Sequence, residues 1–176
     1  MAKTLENAFS GYFDLAFGEQ KARRNGLLSD QELSAIMTAP NPCLVIIKPH
    51  ATNNVGLVTV TETLISDLGL NILIDKRIKL TREQVFGIYG DLCEVMAQSE
   101  DGLAFVEGLV GSFVDGDQEG RVLVVHGDGA YEKMKKIKKL MRETGKENRF
   151  RNVLHSSDNL ICAMKEITAL LSKHKE

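Results

Sequence analysis

The sequence predicts an α+β sandwich, a fold in which helices flank a four-stranded antiparallel β-sheet. Two largely apolar runs, "CLVIIK" (43–48) and "RVLVVHG" (121–127), are typical of strands that are buried on both faces. Amphipathic stretches separate them, and one of these begins with the Thr-x-x-Gln form of the capping box, a signature of helix starts. Strand-like and helix-like stretches alternate after residue 42, which indicates one layered domain with a substantial core.

Residues 1–40 are predicted to form an N-terminal helical extension in front of this domain. Aromatic residues between Phe9 and Phe17 recur at roughly helical spacing, and "SDQE" (29–32) is a capping box that opens a second short helix. "APNP" (39–42) ends that helix and is expected to act as a hinge, because proline cannot continue a helix. The extension is expected to pack its aromatic face either on the main domain or on a second subunit.

The main domain spans residues 41–176 and begins with the strand at 43–48. "VGLVTVTETLISDLG" (55–69) follows as a helix with one apolar face and a glycine as its stop signal. "LNILIDKRIKL" (70–80) alternates apolar and polar residues, as a half-exposed strand does. "TREQ" (81–84) then opens a helix that is predicted to run to about Ala97.

The second half of the domain completes the same alternation. "DGLAFVEGLVGSF" (101–113) is predicted as a helix, and the buried strand at 121–127 leads into the basic amphipathic helix "AYEKMKKIKKLMRE" (130–143). "NVLH" (152–155) is a short strand, and "SDNLICAMKEITALLSK" (157–173) is the closing helix. The order β-α-β-α-α-β-α-β-α predicts a ferredoxin-like split βαβ arrangement with extra helices as insertions.

Composition excludes several classes of function. The net charge of −2 and the pI of about 6.1 argue against an obligate nucleic-acid partner, and no apolar run reaches membrane-spanning length. The predicted strands also lack the paired aromatic residues on which RNA-binding sheets stack bases. The three cysteines, Cys43, Cys93 and Cys162, are far apart in apolar surroundings, so we expect reduced thiols in a cytoplasmic protein.

Two residues at strand ends are candidates for chemistry. Lys48 closes the first strand and Pro49 prevents that strand from running on, so the lysine either reaches a phosphate of a ligand or remains a solvated strand end. His155 ends the last strand, directly before the turn at 156–159, where it serves either as a functional group or as a hydrogen-bonded turn residue.

Three motifs resemble those of one enzyme family. "IIKP" (46–49) is similar to the end of the first-strand signature of the nucleoside diphosphate kinases. "NVLHSSD" (152–158) is similar to their active-site signature Asn-x-x-His-Gly-Ser-Asp, and "KEI" (165–167) follows it at the family's spacing. The chain therefore resembles a divergent nucleoside diphosphate kinase from about residue 43 to the closing helix.

The resemblance implies a ferredoxin-like fold and a transfer of the γ-phosphate from a nucleoside triphosphate to a nucleoside diphosphate. His155 corresponds to the nucleophile that carries the phosphate, and Glu166 to the carboxylate that orients its ring. Ser157 corresponds to a hydroxyl that assists near the nucleophile, and Lys48 to a phosphate contact. Mg²⁺ is the implied cofactor, held mainly by the nucleotide phosphates and not by protein ligands.

The resemblance also implies a nucleotide-binding set. Asn152 corresponds to a sugar or phosphate contact, Thr144 to a β-phosphate contact, and Tyr89 to a tyrosine close to the histidine. Lys138 stands where the family has an arginine, which keeps the charge but loses the bidentate fork. Including the positions discussed below, the expected nucleotide-binding residues are Lys48, Tyr89, Lys138, Thr144, Arg149 and Asn152.

One departure from the family lies just before the active-site motif. Only the seven residues "GKENRFR" (145–151) separate Thr144 from Asn152, whereas the family has a longer loop there. That loop supplies a phosphate-binding arginine and packs subunits into hexamers, so Arg149 or Arg142 becomes the substitute. We expect a homo-oligomer built from dimers, with the hexamer in doubt.

A second departure places Ser156 where the family has glycine, which adds a side chain near the phosphate. The alternative to an active kinase is therefore a catalytically weak nucleotide-binding or scaffold protein with the same fold. The expected partners are nucleoside tri- and diphosphates, with no membrane.

Overall fold

The computed structural model describes residues 28–114, 116–144 and 152–171. The predicted aromatic helix between Phe9 and Phe17 and the residue Arg149 lie outside these ranges. The described elements, in chain order, are α1 (Asp30–Thr38), β1 (Cys43–Ile47), α2 (Pro49–Thr52), α3 (Val55–Asp67), β2 (Asn71–Ile78), α4 (Arg82–Met96), α5 (Glu100–Gly111), β3 (Gly120–His126), α6 (Ala130–Thr144), β4 (Leu154–Ser156) and α7 (Leu160–Leu171).

The four strands form one antiparallel sheet in the order β2-β3-β1-β4. Because β3 lies between β1 and β2, the first βαβ unit is split, as the order of elements predicts. The ferredoxin-like fold is thereby confirmed. β1 is the inner strand on which β3 and β4 both pair, and all five of its residues are buried. That position explains why its sequence is apolar throughout rather than alternating.

The sheet is covered on both faces. Leu44 and Ile46 of β1 point to one face, which α1, α4, α5 and α7 cover, and these side chains belong to one apolar cluster. Cys43, Val45 and Ile47 point to the other face, which α3 and α6 cover with a second cluster. Because successive side chains of a strand point to opposite faces of the sheet, the five residues of β1 contribute to both apolar clusters.

Both predicted capping boxes are present. At the start of α1, the side chain of Ser29 accepts from the N–H of Glu32, and the carboxylate of Glu32 accepts from the N–H of Ser29. At the start of α4, the hydroxyl of Thr81 accepts from the N–H of Gln84, and the side-chain oxygen of Gln84 accepts from the N–H of Thr81. Ile36 of α1 is fully buried against the sheet, so this helix is part of the core.

The segment at 39–42 ends α1, as predicted, and is bonded to the main domain. The carbonyl of Pro40 accepts from the N–H of Gly127 at 3.0 Å, and the carbonyl of Pro42 accepts from the hydroxyl of Tyr131 at 2.9 Å. These two bonds fix the path of the chain between α1 and β1.

The structure differs from the sequence-based prediction in one additional helix and at the ends of several elements. The one-turn helix α2 was not predicted, although a proline is well suited to the first position of a helix and Pro49 occupies it. β4 begins at Leu154, two residues later than expected. α7 begins at Leu160 and not at Ser157, because the side chain of Asn159 caps its first turn.

The three cysteines are free thiols, as expected, and Cys43 and Cys93 are buried. Within the described ranges, every helix is too short or too polar to cross a lipid bilayer.

Candidate active site

β4 places His155 on the face of the sheet that α4, α5 and α7 cover. His155 pairs with Ile46, and residues directly opposite each other in an antiparallel pair point to the same face. Just after the strand, the N–H of Ser157 donates to the carbonyl of Leu44 at 3.0 Å, and Asn159 caps α7. The backbone on both sides of the histidine is therefore fixed, and only 8% of the residue is exposed.

The two ring nitrogens of His155 face different partners. Nδ1 lies 2.6 Å from the hydroxyl oxygen of Tyr89, and Nε2 lies 3.1 Å from Oε2 of Glu166. The second contact is close enough for electrostatic attraction but lacks the angle of a hydrogen bond. Burial, reinforced by the charge of Glu166, raises the pKa of Tyr89, so its phenol stays protonated and is able to donate a hydrogen bond to Nδ1. In the tautomer that we assign on this basis, Nδ1 holds the lone pair and Nε2 carries the hydrogen that faces the carboxylate.

Ser157 holds the carboxylate of Glu166 in place. The serine hydroxyl donates to Oε2 at 2.5 Å and accepts from the N–H of Leu44 at 3.2 Å. Ser157 is 1% exposed and Glu166 is 6% exposed, so solvent has little access to either group. The hydroxyl thus links the backbone of β1 to the carboxylate, and through the carboxylate to the histidine ring.

Lys48 follows β1 and is buried. Its N–H donates to the carbonyl of Val153 at 3.0 Å, which extends the pairing with β4. Its Nζ donates to Oγ of Ser112 at 2.8 Å and lies 4.4 Å from the ring centroid of Phe113. Burial, with a smaller contribution from the charge of Arg142, lowers the pKa of Lys48 to about 7. With 1% of the residue exposed, the interpretation of Lys48 as a solvated strand end is wrong.

Phe113 connects the lysine to the histidine. Its ring centroid lies 5.6 Å from that of Tyr89 and 6.4 Å from that of His155, and the rings of Tyr89 and His155 are 5.1 Å apart. Since Lys48 lies over the same ring, three of the predicted site residues surround one aromatic side chain. Sequence reasoning missed both Phe113 and Ser112. Their only signal was the position directly after the last turn of α5.

The other predicted nucleotide-binding residues lie around this centre. Lys138 of α6 donates to two oxygens of the turn 156–158, both at 3.2 Å, so it is bonded to the segment that carries the histidine. Asn152 is half-buried just before β4. α6 ends at Thr144, but the side chain of Thr144 and the whole of Arg149 lie outside the described residues.

The site is closed in this conformation. The hydroxyl of Tyr89 is hydrogen-bonded to Nδ1 of His155, and Oγ of Ser112 accepts a hydrogen bond from Nζ of Lys48. Both His155 and Lys48 are buried, so a ligand reaches them only after these two contacts open.

The described side chains do not form a metal site of their own. Within residues 28–114, 116–144 and 152–171, no three His, Cys, Asp or Glu side chains come together as ligands. The carboxylate of Glu166 already accepts a hydrogen bond from Ser157, and the carboxylate of Asp158 accepts one from Lys138. A magnesium ion held by protein ligands alone does not fit this arrangement.

The chain is thus an α+β protein in which a histidine and a carboxylate are buried together on one face of a ferredoxin-like sheet. No protein-family model matches the sequence, and no curated protein matches it either. Solved structures do match. A nucleoside diphosphate kinase from Encephalitozoon cuniculi, in its apo form, superposes with a TM-score of 0.62 at 20% identity, covering 76% of this chain and 90% of that one.

Two further kinases agree with the first. The nucleoside diphosphate kinase from Borrelia burgdorferi, solved as a transition-state mimic with vanadate and ADP, has a TM-score of 0.59 at 23% identity and covers 73% of this chain and 84% of its own. The kinase from Pyrobaculum aerophilum has a TM-score of 0.56 at 20% identity, with 73% and 94% covered. The chain therefore has the nucleoside diphosphate kinase fold, and the resemblance in its motifs is confirmed at the level of the fold.

Proposed function

We propose that this protein is a phosphotransferase that moves the γ-phosphate of a nucleoside triphosphate to a nucleoside diphosphate through a phosphohistidine at residue 155. The orientation of the His155 ring supports this most directly. Glu166 faces Nε2, which leaves the lone pair on Nδ1. A neutral imidazole whose other nitrogen is held by a carboxylate is a good nucleophile near pH 7.

The transfer takes place in two half-reactions. In the first, the lone pair of Nδ1 forms a bond to the γ-phosphorus, and the bond from that phosphorus to the bridging oxygen breaks. The nucleoside diphosphate leaves with that electron pair. The ring becomes positively charged, and the carboxylate of Glu166 stabilises this charge. In the second, a terminal oxygen of another diphosphate attacks the phosphorus, the P–N bond breaks, and Nδ1 regains its lone pair.

Lys48 supplies positive charge for the transferred group. The transition state of phosphoryl transfer spreads negative charge over three oxygens, and a positioned cation stabilises it without covalent chemistry. The pKa of Lys48, lowered to about 7 by burial, rises again when an anionic phosphate enters beside it. The ammonium form is therefore the one that meets the phosphate.

Nucleotide binding requires that the closed site opens. Tyr89 belongs to α4, and Ser112 and Phe113 follow α5, so a movement of this pair of helices uncovers His155 and Lys48 together. The kinase from Borrelia burgdorferi holds vanadate and ADP. We propose that the corresponding part of this chain takes the nucleotide after such an opening.

We further propose that Mg²⁺ reaches the site on the phosphates of the nucleotide, where it reduces their charge. We also propose a homo-oligomer built from dimers, because the segment 145–151 is too short to serve as the loop that packs subunits into hexamers.

The test is incubation with ATP that carries a radioactive γ-phosphate. We expect an acid-labile, alkali-stable label that added GDP removes. The label should be absent from His155→Ala and present in the control His126→Ala, which changes a histidine at the end of β3. A label that persists in His155→Ala would rule out the proposed nucleophile.

A nucleotide-binding protein with little turnover is the second candidate. The closed site favours it, since both the nucleophilic nitrogen and the buried ammonium group already have partners. Tight binding of ATP and GDP in calorimetry, without any labelling of His155, would select this second function.

A further inference from the structure

The outer side of α6 concentrates positive charge. Six of the chain's 22 lysine and arginine residues fall within this helix, although the net charge of the chain is −2. The large apolar side chains of the helix point inwards to the sheet, with the exception of Leu140, which is 43% exposed. The six cations are Lys133, Lys135, Lys136, Lys138, Lys139 and Arg142.

Five of these cations line one groove. It has a volume of about 610 Å³ and is lined by Glu132, Lys135, Lys136, Lys138, Lys139, Arg142 and Asp158. Lys138 is paired with Asp158 at 3.2 Å, and Lys139 approaches Glu143 only at 3.9 Å. Lys135 and Lys136 form no ion pair with any residue in the described part of the chain. The groove therefore has three more cations than carboxylates.

The groove extends towards the candidate active site. Arg142 is close enough for its charge to contribute to the lowered pKa of Lys48. Lys138 binds the turn that follows His155. From Lys135 to Arg142 the helix rises by about 10 Å, which is long enough for several consecutive phosphates of an extended anion.

The side chains of the groove restrict what can bind there. None of its seven lining residues is aromatic, so nucleic-acid bases have no ring on which to stack. None is apolar, so the groove lacks the apolar centre that a peptide partner would bury. The apolar face of α6 is already packed against the sheet, so too little exposed apolar surface is left for this helix to insert into a membrane.

We propose that this groove binds linear inorganic polyphosphate. This anion carries dense charge along its whole length and has no base or apolar part that would need a pocket. A row of lysines can neutralise successive phosphates as point charges, and the binding gains free energy from released counterions. The inference does not depend on turnover at His155, because its test changes Lys135 and Lys139, which are not among the expected nucleotide contacts.

The test compares two double variants of the full chain with equal net charge. Lys135→Gln with Lys139→Gln removes two groove cations, whereas Arg77→Gln with Lys79→Gln removes two exposed cations at β2. Affinity for fluorescently labelled medium-chain polyphosphate is measured by anisotropy over a range of KCl concentrations. Thermal unfolding checks that both variants fold.

We expect the groove variant to lose about tenfold in affinity for polyphosphate, with a plot of log affinity against log salt that is less steep by about 1.4 for the two lost contacts. The β2 variant should bind like the unmodified chain. Equal losses in both variants, or no loss in the groove variant, would overturn the proposal.

Two further arms separate polyphosphate from other anions. A single-stranded oligonucleotide of similar charge should bind more weakly than polyphosphate, and equal affinity would overturn the assigned ligand class. ATP binding should be unaffected by Lys135→Gln with Lys139→Gln. A matching loss of ATP affinity would mean that the groove is only an extension of the nucleotide site.

Discussion

Ser157→Ala removes the hydroxyl that fixes the carboxylate behind the histidine. Oγ donates to Glu166 at 2.5 Å and accepts from the N–H of Leu44 at 3.2 Å, and the residue is 1% exposed. A hydrogen bond to a charged group contributes about 1.5–3 kcal/mol, and one between neutral groups about 0.5–1.5 kcal/mol. We expect the free energy of unfolding to fall by about 3 kcal/mol, which lowers the melting temperature by about 6–12 °C.

The same change should slow phosphorylation of His155, because a carboxylate without its partner no longer holds Nε2 in one orientation. Loss of a hydrogen bond that supports a metal-binding histidine costs about 10–100-fold, and we expect an effect of similar size on His155. Thermal unfolding and rapid-quench labelling measure the two effects, with Ser34→Ala on the exposed side of α1 as the control. A Ser157→Ala protein that melts and is labelled like the control would refute the role of this hydroxyl.

Tyr89→Phe removes the hydroxyl that covers Nδ1, so diethyl pyrocarbonate should modify His155 several-fold faster, as measured by mass spectrometry; an unchanged rate would contradict the closed site. Glu166→Gln keeps the shape but removes the charge near Nε2, so labelling should slow by about 10-fold or more. Calorimetry should show unchanged nucleotide affinity, and wild-type labelling would mean that the carboxylate does not stabilise the ring. The pKa of Lys48 is lowered to about 7 from 10.5, so the unfolded chain binds this proton more tightly. The free energy of unfolding should therefore rise between pH 7 and 10.5 relative to Lys48→Met, and parallel pH curves for the two proteins would refute the burial of the amine.

Local signals predicted the elements that form the sheet and its cover. The apolar run of β1 and the alternation in β2 follow from their inner and edge positions, and the capping boxes at Ser29 and Thr81 mark helix starts in the structure. The motifs at Lys48 and at 152–158 led to the correct fold through their resemblance to the kinase family, and the structure places both motifs at the ends of paired strands.

The residue patterns alone did not predict contacts between distant residues. The bond from Lys48 to Ser112 joins residues 64 apart in sequence and was missed, whereas the contact of Tyr89 with His155, 66 residues apart, was expected only from the resemblance to the kinase family. Both depend on how α4 and α5 pack over the sheet, and no pattern along one element encodes that packing. The position of Phe113 between these groups could not be inferred for the same reason.

The nitrogen that carries the phosphate tests the central claim most directly. After reaction with ATP, alkaline hydrolysis followed by chromatography against standards separates the Nδ1 and Nε2 isomers of phosphohistidine. Since Nε2 faces Glu166 and the lone pair lies on Nδ1, we predict phosphate on Nδ1 of His155. Phosphate on Nε2, or no phosphohistidine after prolonged exposure to ATP, would contradict this account.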